Sequence, residues 1–160
     1  VRGRLDLDVY GPVEDADYWR HCQALMDRLP AHVRAAYRGE LAPEEVRGTF
    51  AGYDAFALLT LGENFGHVIA ESLSASCPVL CSDRTPWMAV LEGGGGSVIR
   101  PPTPAALAAR LEELAGRTPE DRYRDRLRAG FAYQRWRDGL DGVNILDQVL
   151  LGHSARKTAI

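Results

Sequence analysis

Three scarcities limit what this 160-residue sequence can encode. No run of apolar residues approaches the ~18 residues that a membrane-spanning helix needs. Lysine occurs once, at Lys157, and the formal net charge is −3, so the chain lacks the excess of positive charge on which counterion release by nucleic-acid binders depends. We therefore expect a soluble, cytoplasmic globular protein with no nucleic-acid partner.

Cysteine is also scarce, and its spacing excludes two kinds of site. Cys77 and Cys81 flank a short strand and lie too far apart for a disulfide, and Cys22 leaves the count odd. No metal-ligand spacing is present. Asp6 and Asp8 stand two apart within a strand and have no further oxygen ligands nearby in the sequence. We predict reduced, buried thiols, no metal and no cofactor.

What the sequence does have is an alternation of short apolar runs and amphipathic segments. This pattern predicts an α/β fold, a Rossmann-like doubly wound parallel sheet of about five strands with helices on both faces. The strands are expected at 5–10, 33–37, within 54–60, at 78–82 and at 97–100, with helices at 17–29, from 43, at 65–76, from 85 and from 103. The third strand is apolar on both faces and is expected to be central. One domain over residues 1–151 is predicted, with a tail at 152–160.

Polar and glycine residues gather where the predicted strands end. The pairs Gly11-Pro12, Gly39-Glu40 and Gly62-Glu63 follow the first three strands, and Ser82-Asp83-Arg84 follows the fourth. In doubly wound sheets the ligand lies at the carboxyl ends of the strands. This distribution predicts a ligand crevice.

The segment GENFGHVIAE places two glutamates around the start of the third helix. The amides from Asn64 to His67 are expected to be unpaired donors of the first turn, suited to a diphosphate or a sugar hydroxyl. Gly66 allows close approach to the backbone, and Glu71 could accept both hydroxyls of a ribose. The alternative is that Glu63 is only a helix cap and Glu71 only a solvated helix residue.

The longer segment LLTLGENFGHVIAESLSASCPVLCSD resembles the donor-binding segment of retaining group 1 glycosyltransferases, which have the two-domain GT-B architecture. The matching positions are Thr60, Glu63, Phe65, Gly66, Glu71, Pro78 and Val79. The segments VYGP, YRGEL and GGSVI match the family's flanking segments in the correct order, so the resemblance covers about residues 5–115. It implies that the chain is the second half of a GT-B fold.

The resemblance also implies roles for individual residues. Glu63 would be the catalytic residue beside the donor sugar, with the neighbouring amides near sugar and diphosphate and Glu71 on the ribose. The donor-binding residues that it implies are Gly11, Arg38, Gly39, Glu40, Leu41, Thr60, Asn64, Phe65, Gly66, His67 and Glu71. Arg84 is a further candidate from its place after the fourth strand, although it matches no family position. For His67, a surface histidine is an equal alternative.

Two departures from the family bear on the fold. Leu59 stands where the family has proline, and the family's donor domain begins one βα unit earlier, with a glycine-arginine strand end and a lysine that hold the diphosphate. We expect residues 1–151 to lack that unit, and the acceptor domain to be absent from this chain. The sheet should then close in the order 2-1-3-4-5 or leave a gap filled by another chain, and the isolated fragment should be inactive.

The resemblance implies sugar transfer, with retention and without a metal, from a nucleotide-diphosphate sugar to a glycan or lipid-linked acceptor, as in bacterial polysaccharide biosynthesis. Two alternatives are a nucleotide-sugar epimerase of GT-B architecture and a non-catalytic nucleotide-binding module. Residues 120–140 carry many arginines, which predict either a peripheral membrane contact or, as the favoured interpretation, a solvated helix face with ion pairs. Trp136 in this stretch is expected to be exposed, at the interface with the acceptor domain.

Overall fold

The computed structural model describes residues 1–141, which form five strands and six helices in βα alternation. The strands are β1 (Leu5–Tyr10), β2 (Val33–Gly39), β3 (Phe56–Leu58), β4 (Val79–Ser82) and β5 (Gly96–Ile99). The helices are α1 (Ala16–Met26), α2 (Pro43–Ala51), α3 (His67–Ser74), α4 (Met88–Val90), α5 (Pro104–Ala115) and α6 (Pro119–Asp141), and a π-helical turn (Leu91–Gly95) follows α4. The Rossmann-like α/β prediction is confirmed. The predicted domain end at 151 and the tail at 152–160 lie outside the described residues.

The strands form two sheets and not one. β1 pairs with β2 in parallel, and β3, β4 and β5 form a separate parallel sheet in that order. The predicted order 2-1-3-4-5 is therefore wrong, because β1 and β3 are not paired. That another chain fills the gap between them stays a prediction. Side chains bridge this gap in place of backbone: the Tyr53 hydroxyl, just before β3, donates to Asp8 Oδ2 on β1 at 2.6 Å and lies 2.8 Å from the Tyr10 hydroxyl.

The gap also changes the place of the third strand. β3 pairs with β4 alone and is an edge strand, so the prediction that it is central is wrong. The central strand is β4, whose four residues are all buried. Ala57 in the middle of β3 is exposed, so β3 is not apolar and covered on both faces as a central strand would be.

The buried residues of the apolar core all lie between Ile69 and Ala132. It packs α3 and the π-helical turn against β4, with α6 across them, and its central residues are Ile69, Leu73, Val79, Leu91 and Ala129. All five are fully buried. Among the described residues, none from 1 to 65 is buried. The core therefore supports the three-stranded sheet, and β1 and β2 lie outside it.

Helix α6 presents a charged face stabilised by ion pairs. Arg122 bonds Asp54 at 2.8 Å, Arg124 bonds Asp121 at 2.9 Å, and Arg117 lies 3.5 Å from Asp125. These pairs agree with the favoured interpretation of the arginine-rich stretch. Within residues 1–141, no helix combines the length and the hydropathy required to cross a bilayer.

Candidate functional site

The loop between β3 and α3 is organised by the Glu63 carboxylate. Its Oε1 atom accepts hydrogen bonds from the amides of Phe65 at 3.2 Å and Gly66 at 3.0 Å. Helix α3 begins at His67, two residues later than predicted, because Gly66 is its left-handed N-cap. The prediction that all amides from Asn64 to His67 are unpaired is therefore wrong for two of them, which Glu63 already occupies.

Three other amides around the start of α3 remain available to bind a ligand. Within the part of the chain that the structure describes, the amides of Asn64, His67 and Val68 have no hydrogen-bond acceptor. The last two belong to the first turn of α3, where orphan N–H groups and the positive end of the helix dipole favour an anion. The arrangement can thus bind negative charge beside a carboxylate that is already anchored.

Gly66 is required by both backbone and packing. Its φ is +78°, in the left-handed region, and a Cβ there would lie 3.0 Å from Ile69 Cδ1 and 3.0 Å from Trp87 Nε1. The Trp87 indole, only 3% exposed, fills this space and donates its Nε1–H to the Phe65 carbonyl. The loop therefore packs on the Trp87 ring.

Two hydrogen bonds join this loop to the end of β4 and to the loop that follows it. The buried Ser82 hydroxyl donates to the Thr60 carbonyl at 2.6 Å, and the Glu63 amide donates to the Arg84 carbonyl at 3.0 Å. The Thr60 hydroxyl in turn donates to the Gly62 carbonyl at 2.7 Å. The structure therefore brings together three predicted site residues at one sheet edge.

Four polar side chains of the predicted site are open to solvent around this edge. His67 and Glu71 stand four positions apart on one face of α3, and the His67 ring packs on Phe65 with centroids 4.3 Å apart. The Arg84 side chain is 66% exposed and lies 3.6 Å from Asp83. Asn64 is also exposed. These groups can meet a ligand without rearrangement of the core.

The other predicted residues lie at the end of the two-stranded sheet. The Gly11 amide donates to the Gly39 carbonyl at 2.9 Å, and Arg38 Nε donates to Asp8 Oδ1 at 2.9 Å. Glu40 is exposed and Leu41 half-buried. Among the described residues, no hydrogen bond or ion pair joins this group to the Glu63 loop. The structure thus places the predicted site residues in two separate groups.

The pKa of Asp8 differs from its usual value. The hydrogen bond from Tyr53 holds the pKa of the Asp8 carboxyl below its usual value, and the neighbouring Arg38 lowers it further. Burial, and then the hydrogen bond to Asp8, raise the pKa of the Tyr53 phenol. Asp6, the other acid of the pair considered as a metal ligand, binds Arg4 at 3.3 Å. Residues 1–141 contain no cluster of three potential metal-ligating side chains.

Sequence reasoning missed two residues that shape the loop, and it misplaced a third. Ser82 and Trp87 were not candidates, although a serine inside an apolar strand and a tryptophan after a Thr-Pro turn are signals of a specific contact. The expectation that Trp136 is exposed is wrong, because its ring packs on Trp87 with centroids 4.4 Å apart and joins the core. The helix predicted from residue 85 begins only at Met88, with Trp87 as its N-cap, so that predicted start is wrong. The Thr85 hydroxyl accepts from the Trp87 amide at 3.3 Å in the turn before the helix.

Known structures share this fold. The chain is similar to WaaG, a glycosyltransferase involved in lipopolysaccharide biosynthesis, with a TM-score of 0.61 and 17% identity over 83% of this chain and 43% of WaaG. It is also similar to the N-terminal domain of trehalose-6-phosphate phosphatase from Candida albicans, with a TM-score of 0.59 and 12% identity over 82% of this chain and 30% of the other. The chain thus spans less than half the length of either.

Sequence comparison is more specific. A search of curated proteins found no match. The profile of the family described as "Glycosyl transferases group 1" matches residues 4–128, a region that includes β1 to β5 and the whole Glu63 loop. Because this match takes in most of the chain, the protein belongs to the group 1 glycosyltransferase family.

Proposed function

We propose that this chain forms the donor-binding domain of a retaining glycosyltransferase and binds a nucleotide-diphosphate sugar at the Glu63 loop. The observation that carries the proposal is the anchored Glu63 carboxylate, which stands beside unpaired amides at the edge where β3 and β4 end. That is the edge at which doubly wound sheets bind ligands.

Glu63 is suited to orienting the sugar. Its Oε1 atom is fixed by two amides, and its Oε2 atom has no hydrogen-bond partner among the described residues. A carboxylate oxygen held in this way accepts bonds from sugar hydroxyls without first having to be ordered. We assign Glu63 to the hydroxyls of the transferred sugar, which it would hold in one position during transfer.

The first turn of α3 is suited to the diphosphate. The amides of His67 and Val68 and the helix dipole would stabilise the negative charge that grows on the diphosphate as the glycosidic bond breaks. The exposed Arg84 guanidinium adds positive charge at the same edge. These groups replace the charge stabilisation that a metal would supply, so the proposal requires neither a metal nor a cofactor.

Glu71 is suited to the ribose. It lies one turn beyond His67 on the same face, about 6 Å along the helix axis at 1.5 Å per residue. A nucleotide whose diphosphate meets the first turn would place its ribose over Glu71, which could accept both ribose hydroxyls. The base would then extend toward Arg38, Gly39, Glu40 and Leu41. The acceptor, a glycan or a lipid-linked sugar, would bind to a second domain of the parent enzyme.

The test is isothermal titration calorimetry of the full-length protein with UDP-glucose, GDP-mannose and ADP-glucose. We expect one of them to bind and Glu71→Ala to weaken that binding about tenfold through the lost ribose bonds. Glu44→Ala, an exposed acid in the first turn of α2, is the matched control and should bind like the wild type.

Two outcomes would contradict the proposal. One is a failure of all three nucleotide sugars to bind, and the other is equal binding by the Glu71→Ala and Glu44→Ala variants. Product analysis with donor alone separates transfer from epimerisation, since release of a free epimer in the absence of acceptor would favour an epimerase.

A further inference from the structure

The peptide unit between Phe65 and Gly66 is held at both ends. Its carbonyl accepts the Nε1–H of Trp87, and its N–H donates to Glu63 Oε1 at 3.0 Å. A peptide group fixed at both atoms cannot rotate, so it keeps Gly66 in the left-handed conformation. The Glu63 carboxylate is therefore anchored to a peptide that Trp87 orients.

Trp87 is held in turn by the last helix. Its ring packs on Trp136 of α6 with centroids 4.4 Å apart, and Trp136 packs on Tyr133, one turn earlier, at 5.7 Å. On its other side the indole lies close to Gly66, where an added Cβ would be only 3.0 Å from Trp87 Nε1. The indole is thus clamped between the site loop and α6, and a contiguous contact runs from Trp136 through Trp87 to the peptide that binds Glu63.

We propose that Trp87 is a positioning residue for the Glu63 loop and that Trp136 makes the geometry of this loop depend on the position of α6. Movement of α6 away from the sheet would remove the support of Trp87, release the Phe65 carbonyl and free Gly66 to change conformation, and Glu63 would lose its two amides. The consequence for donor binding rests on the proposed function, but the coupling itself does not.

The indole N–H separates this role from simple core packing. A phenylalanine at position 87 would fill most of the same space and keep an aromatic contact with Trp136, but it has no donor for the Phe65 carbonyl. If Trp87 only filled space, loss of the N–H would leave the loop unchanged. If it positions the peptide, the loop should loosen while the core stays intact.

Hydrogen exchange in the full-length protein without nucleotide tests the proposal. Trp87→Phe should speed exchange of the Phe65 and Gly66 amides roughly fivefold, the effect of losing the one hydrogen bond from the indole to the Phe65 carbonyl, and leave the amides of β4 unchanged. Trp136→Ala should speed the same two amides at least as much, although Trp136 touches neither. Trp136→Phe should restore protection. Phe131→Ala, an aromatic residue of α6 that is 56% exposed, is the control and should have no effect.

Each outcome of the exchange experiment either supports or overturns the proposed coupling. Faster exchange confined to the loop in Trp87→Phe and Trp136→Ala supports the coupling. Unchanged exchange of the Phe65 and Gly66 amides in Trp136→Ala overturns it, as does an equal rise across α3 and β4, which would show general loss of stability. Titration of the same variants with UDP-glucose, GDP-mannose and ADP-glucose then reports the effect on donor affinity. If the wild type binds none of them, the proposed function fails while the exchange result still stands.

Discussion

The two sheets of this protein are built from the same βα alternation but are stabilised in different ways. β3, β4 and β5 lie on a core formed with α3 and α6, in which Leu73, Val79 and Leu91 are fully buried. β1 and β2 contribute no buried residue, and β1 is held beside β3 by polar side chains, Tyr53 with Asp8 and Tyr10. The comparison shows that similar local patterns give a packed core here only where helices such as α3 and α6 cover the sheet.

The Glu63 loop lies on the better supported sheet. Its carboxylate, its glycine and its neighbouring tryptophan are fixed by the core, whereas the group around Gly39 depends on hydrogen bonds near the surface. A site that must orient sugar hydroxyls benefits from such rigid support.

The largest effect is expected from truncating the core. Leu73→Ala should lower the free energy of unfolding by about 2 to 5 kcal/mol, because Leu73 is fully buried and its loss leaves a cavity. Leu7→Ala on β1, at a leucine that is 40% exposed, should cost less than about 1 kcal/mol. Urea unfolding of both variants measures the contrast, and equal losses would show that the two sheets are equally well packed.

A pair of glycines with the same backbone conformation gives the next contrast. Gly66 and Gly39 both have φ near +78°, so alanine should cost about 1 to 2 kcal/mol at either position. At Gly66 the added Cβ also meets Ile69 and Trp87, whereas at Gly39 nothing lies within 4 Å. Gly66→Ala should therefore be less stable than Gly39→Ala by about 1 to 3 kcal/mol in urea unfolding. Equal stability would mean that Trp87 yields easily, against the proposed coupling.

The smallest effect is expected between the sheets and depends on pH. The folded-state pKa of Asp8 lies below its unfolded value of about 3.9, so its stabilising contribution is present above that pH and is lost as the pH falls through the folded pKa. Tyr53→Phe removes the largest cause of this shift and should cost about 1 kcal/mol at pH 7. The difference from the wild type should shrink on acidification toward pH 3.

Thermal unfolding across this pH range measures the effect. Tyr123→Phe, at a tyrosine that is 63% exposed, serves as the control and should follow the wild type at every pH. A loss of stability in Tyr53→Phe that does not change with pH would show that the hydroxyl acts through a contact other than Asp8.

Much of this structure could be predicted from local sequence. The order of strands and helices follows from apolar periodicity, and helix starts follow from caps such as Thr103, whose hydroxyl accepts from the Ala106 amide at 3.2 Å. The importance of Glu63 and Gly66 also followed from their place between a strand and a helix. Their roles as ligand-binding residues remain predictions.

Contacts between distant segments could not be predicted. The sequence did not indicate that Arg38 pairs with Asp8 on the neighbouring strand, and the role of Arg38 toward a ligand stays a prediction. Trp136 was expected to be exposed, yet it supports Trp87. Neither partner is marked by spacing, because the segments meet only after the chain has folded.

The sequence by itself determined which elements form, in what order, and which glutamate and glycine stand at the mouth of α3, because periodicity, capping and turn chemistry act over a few residues. Only the tertiary structure decided that the sheet divides between β1 and β3, that Glu63 occupies two of the amides beside it, and that Trp87 and Trp136 lie beneath them. Those outcomes depend on contacts between residues far apart in the chain, where burial must outweigh the entropy lost in bringing the segments together.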